Sequence, residues 1–111
     1  MVKRGLCLAA LLFAGCQTVT SPPPSDAALV RARLAEPDGM RVFALRCASC
    51  HGETGNAPGA PPVMGPGTLA RFDRVADLQA FVAERMPPND PVSEDDARAV
   101  SRYLAAIAGR H

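Results

Sequence analysis

A chain of 111 residues with 12 basic and 11 acidic side chains, a formal charge of +1, has room for one domain and no basic excess with which to bind nucleic acid. Four cysteines exclude a disulfide-dense scaffold, and four phenylalanines, one tyrosine and no tryptophan exclude a large aromatic core.

The N-terminus reads as a targeting segment. Lys3 and Arg4 open it, Leu6 to Ala14 (LCLAALLFA) form an apolar run too short to span a bilayer as a stable helix, and small residues follow in AGC. Residues 1–15 are therefore expected to be a secretory signal peptide, with the working protein outside the cytoplasm. The stretch FAGC, Phe13 to Cys16, resembles the lipobox of bacterial lipoproteins, with Phe13 where leucine is usual. That resemblance implies lipidation of Cys16 as the first residue of the mature chain. Several acyl chains on one residue would anchor the protein stably to a membrane, because each buried methylene contributes about 0.8 kcal/mol. Gln17 is not the aspartate that marks inner-membrane retention in some bacteria, which favours the outer membrane. Loss of residues 1–15 leaves ten basic against eleven acidic side chains, a formal charge of −1.

Residues 16–28 are expected to form a lipid-anchored, Pro-rich tether. Pro22-Pro23-Pro24 among Ser and Thr should be extended and solvated, and the stretch from Gln17 to Ala28 could reach on the order of 35 Å in polyproline geometry. The main domain is expected over residues 29–111. Helical spacing starts near Asp26, with Leu29, Val30 and Leu34 on one side, and Pro37 stops it. Asp38 reads as the N-cap of a second helix, in which Met40, Phe43, Ala44 and Cys47 share a face. Residues 52–68, GETGNAPGAPPVMGPGT, are a Gly- and Pro-rich loop, and so long a structureless stretch in a small domain is unusual unless it wraps around something. Helical spacing returns over residues 73–85, with Val75, Leu78, Phe81 and Val82 apolar, until Pro87 blocks it. The last helix begins at Ser93, with Asp96 placed as in a capping box. It carries the stripe Val100, Tyr103, Leu104, Ile107 and stops at Gly109. No segment alternates as a strand does, so an all-α domain is predicted.

Cys7 falls in the signal segment and Cys16 under lipid, which leaves Cys47 and Cys50 in the run Cys47-Ala48-Ser49-Cys50-His51. A bridge between them would close almost no loop. Zinc would need a fourth ligand, and the usual second Cys/His pair is missing. A thiol–disulfide exchanger would place the pair after a strand of a βαβ unit, and no such strand is predicted. Covalent haem attachment suits the spacing: two thioethers fix the porphyrin edge, and His51 follows to give iron a nitrogen ligand. A large flat apolar group would also fill a core that Phe43, Phe72, Phe81 and one tyrosine cannot.

The stretches DGMRVFALRCASCHGETG, APPVMG and ERMPPNDPVSEDDARAVSRYLAAIAG together resemble the small class I, monohaem cytochromes c over roughly residues 38–109. The resemblance implies the cytochrome c fold, a single covalently bound haem c and a second axial ligand. Met86 is the candidate for that ligand, since it follows a helix end and precedes Pro87, which biases it toward extended backbone. Met64, in the loop, competes with it. The resemblance also implies that a loop carbonyl, of Pro61 or else Pro62, accepts the Nδ1 proton of His51, and that Gly39 and Phe43 cross the last helix near Tyr103. Arg41, Arg46, Arg71 and Arg74 are all candidates to meet the haem propionates, and His111 reads as a solvated tail. With His51 and Met86 both on iron, the implied function is single-electron transfer between redox proteins on the periplasmic side of a bacterial membrane. It would act as a free carrier or as a subunit of a larger complex, with no small-molecule substrate and no enzyme activity. The rival is a haem enzyme or gas-binding sensor with an open sixth position.

Overall fold

The computed structural model describes residues 22–110, so the expected signal peptide, Cys16 and His111 lie outside the described residues. Every regular element among the described residues is helical. Helix α1 spans Asp26–Ala35 and α2 spans Pro37–Val42; α2 continues through a π-helical turn (Phe43–Cys47) into the short α3 (Ala48–His51). After a long loop come α4 (Val75–Arg85) and α5 (Glu94–Ile107).

Helix α5 is the element on which α1, α2 and α4 pack. Its N-terminus forms the serine half of the predicted capping box: the Ser93 hydroxyl accepts a hydrogen bond from the Asp96 N–H at 3.2 Å, and Glu94, Asp95 and Asp96 lie at the positive end of the helix dipole. Val100, Tyr103, Leu104 and Ile107 are all buried. Past the last turn, the Arg110 N–H reaches back to the Ala105 carbonyl at 2.8 Å, and the Arg110 side chain donates to the carbonyls of Leu69 and Asp73. The C-terminal end of α5 is thereby tied to the chain entering α4.

Helices α2 and α5 cross at Gly39, as the resemblance implies. A Cβ atom added there would strike the Ala99 carbonyl oxygen and come within 2.5 Å of Tyr103 Cβ. Hydrogen at this one position lets the backbones touch. One turn on, the Phe43 and Tyr103 rings sit 6.1 Å apart at an interplanar angle of 52°, a tilted contact between two buried aromatics.

Three local expectations are corrected. First, α1 buries Ala28, Leu29 and Ala32, while Val30 and Leu34 are exposed at 54% and 80%. Small alanines let α1 approach α5 closely, so the packed face is not the most hydrophobic one. Second, α2 begins at Pro37, with Glu36 as its N-cap, and Asp38 falls in the first turn. Proline both ends α1 and starts α2, because its fixed φ and missing N–H cost nothing at a first helical position. Third, the proline run is not free of the domain. Ser25 caps α1 through a 3.1 Å bond from the Ala28 N–H, Pro24 is buried, and the Pro22 carbonyl oxygen lies against Gly65, where φ is +96° and a side chain would collide. Helix α1 itself begins at Asp26, where the sequence places the onset of helical spacing.

Candidate functional site

The run Cys47 to His51 sits where the helix changes pitch. In the π turn, the Ala48 N–H bonds to the Phe43 carbonyl, five residues back, so the turn holds one residue more than α-geometry would. That extra residue rotates Ala44 and Leu45 to the surface, correcting the expectation that Ala44 shares the inner face. Phe43 and Cys47 keep a common direction, and both line a cavity of about 450 Å³. Cys47 is half-buried, whereas Cys50 is exposed and is not among the cavity's lining residues.

His51 lines the same cavity, and its Nδ1 lies 2.8 Å from the Pro61 carbonyl oxygen. A carbonyl only accepts, so Nδ1 carries the proton, and in the neutral ring the lone pair falls on Nε2. Pro61 can take this place because the loop folds back on itself: Ala57 N–H bonds to the His51 carbonyl and Val63 N–H to the Gly55 carbonyl, each at 2.8 Å. Pro62 also lines the cavity, but the contact with His51 is made by Pro61. The same fold buries Met64, 1% exposed, in the hydrophobic core, and Met64 is not among the lining residues.

Met86 does line the cavity. It caps α4 with extended dihedrals, φ −123° and ψ 128°, as expected of a residue before proline. Both its backbone groups are bonded, N–H to the Val82 carbonyl and carbonyl to the Val92 N–H, each at 2.9 Å. Arg46 adds a link that the sequence does not disclose. Its guanidinium donates to the Asp90 carbonyl at 2.8 Å and to the Asp90 carboxylate at 3.0 Å, tying the residue before Cys47 to the loop after Met86. A contact between residues this far apart in the chain leaves no local signal.

The other chemistries open to the motif find little support in this geometry. Among the described residues, no group of three or more His, Cys, Asp or Glu side chains is placed to hold a metal ion. Burial, only partly offset by Arg46, pushes the Cys47 thiol up to about 11, so Cys47 holds little thiolate at neutral pH. No strand precedes the pair among the described residues.

A family model described as cytochrome C oxidase, cbb3-type, subunit III matches residues 35–104. The chain belongs to this cytochrome c family. No curated protein and no solved structure matches it. The cytochrome c domain runs from the end of α1 to Leu104 in α5 and contains the motif, the loop and Met86. A domain of this kind is an electron carrier and implies covalently bound haem c. The cavity has the size and apolar lining expected of a cofactor site, for which about 300–1,000 Å³ is usual. Its walls also bring together one thiol, one imidazole with a free ring nitrogen and one thioether. The residues present therefore fit the group. No helix among the described residues is long and apolar enough to cross a membrane.

Proposed function

We propose that the protein is a monohaem c-type cytochrome carrying single electrons between redox partners outside the cytoplasm, anchored to a membrane through lipidated Cys16. The observation that carries this reading is the presence of His51, oriented by Pro61, and of Met86 on the walls of one apolar cavity that Cys47 also lines. Cys47 and Cys50 would hold the haem covalently through two thioethers. Pro61 holds the His51 ring through its Nδ1–H, which fixes the tautomer and makes Nε2 the more basic ligand. Met86, its backbone bonded on both sides, would supply a thioether ligand to the iron, and Met64 stays in the core. The bound haem supplies one-electron exchange between ferric and ferrous iron. A His/Met pair raises the reduction potential relative to two imidazoles.

With His51 and Met86 both available to hold the iron, no substrate position would be open, which favours a carrier over a haem enzyme or gas sensor. The experiment is carbon monoxide addition to the reduced wild-type protein at neutral pH. Slow or negligible binding is expected; rapid stoichiometric binding would instead establish the rival with an open sixth site. The family's description as an oxidase subunit supports a second setting for the same chemistry, in which the domain passes electrons into a larger complex.

Lipid on Cys16, with Gln17 after it, would place the domain on the periplasmic side of a bacterial membrane, the outer one preferred. Because Pro22 already rests on Gly65, the spacer from Cys16 is six residues and reaches about 20 Å at most, which keeps the domain close to the surface.

A further inference from the structure

Arg71 is the only permanently charged side chain among the residues lining the cavity. Its guanidinium carbon lies 4.6 Å from the ring centroids of both Phe72 and Phe81, which are themselves cavity walls. The two rings stand 5.5 Å apart at 57°, and the cation is held over both faces. Arg85 lies 5.7 Å from the Phe81 centroid but is not among the residues lining the cavity, and other arginines near the site are engaged. Arg46 pairs with Asp90 at 3.0 Å, Arg74 with Asp77 at 3.1 Å and Arg41 with Asp38 at 3.7 Å, while Arg110 is bonded to two carbonyls. Among the described residues, no carboxylate lies within ion-pairing distance of Arg71.

The remaining donors on the cavity wall lead to the same residue. His51 gives its Nδ1 proton to Pro61, and the Thr68 hydroxyl donates to the Gly65 carbonyl at 3.0 Å. That leaves the Arg71 fork as the strong donor facing an otherwise apolar space. Haem is apolar over its faces and carries two carboxylates on one edge, and a guanidinium can grip a carboxylate through two parallel N–H bonds. Resting on the haem reading of the cavity, we propose that Arg71, steadied by Phe72 and Phe81, binds a haem propionate.

The test uses Arg71→Leu and Arg71→Lys as haem-loaded proteins, with the propionate bending band in resonance Raman and the midpoint potential as readouts. Leucine keeps the packing on the rings and removes both charge and fork. The band should shift, and the potential should fall because an unpaired carboxylate favours the oxidised iron. Lysine keeps the charge without the fork, so the band should shift while the potential moves less. A band at the wild-type position in either variant that carries haem would overturn the assignment. Lysine is the milder change, so it supplies the answer should the leucine variant not accumulate. Failure of the haem reading itself would look different, since the wild-type protein would then show no haem spectrum.

Discussion

Met86→Ala is expected to lower the reduction potential and to let the reduced protein bind carbon monoxide, while the haem stays attached through Cys47 and Cys50. Axial ligands govern a potential range of roughly 0.8 V, so loss of the thioether should move the midpoint by a sizeable part of that range. The control is Met64→Ala. Met64 is 1% exposed and lies in the core. Its truncation should therefore cost about 2–5 kcal/mol of stability and leave the potential and ligand binding as in the wild type. Redox titration and carbon monoxide difference spectra of the two variants check the pair. The reverse pattern, with the potential falling only in Met64→Ala, would transfer the ligand role to Met64.

The second large effect concerns the crossing of α2 and α5. Gly39→Ala is expected to destabilise the protein, although alanine is intrinsically the better helix former by about 1 kcal/mol. The new methyl would meet the Ala99 carbonyl and Tyr103 Cβ, and backbone cannot rotate away as a flexible side chain can. Overpacking of this sort typically costs about 1–3 kcal/mol, and each kcal/mol lowers the melting temperature of a domain this size by about 4–8 °C. Thermal unfolding followed by the haem absorption would measure it. A variant as stable as the wild type would mean that the two helices do not touch at Gly39. The contact also bears on function, because α2 runs directly into the turn that presents Phe43 and Cys47.

How far the sequence disclosed these features differs from element to element. Helix α5 was legible because its signals agree: a serine cap, three acids at the positive end of the dipole and an apolar stripe at helical spacing. In helix α1 the sequence misleads, because hydropathy ranks Val30 and Leu34 above Ala28 and Ala32, whereas close approach to α5 selects the smaller side chains. Pro37 reads in the sequence as a stop, though the same locked φ makes it a good first residue. The π turn had no local signature, since neither composition nor spacing in FALRC distinguishes a five-residue bond from a four-residue one. At the site, the cysteine pair and His51 were recognisable from spacing, and the family resemblance supplied Pro61 and Met86. What tells Met86 from Met64 is three-dimensional: one lines the cavity and the other is folded into the core. The same holds for Arg71, one of four arginines the sequence offers to the propionates and the one of them that lines the cavity.

The central claim, that Cys47 and Cys50 hold a haem by two thioethers, is tested most directly by intact-mass measurement of the exported, processed protein. The account predicts a coloured species whose mass exceeds that of the mature chain and its lipid by one haem, retained after denaturation, with neither Cys47 nor Cys50 open to alkylation. A colourless species without the added mass, in which both thiols react with an alkylating agent, would contradict it.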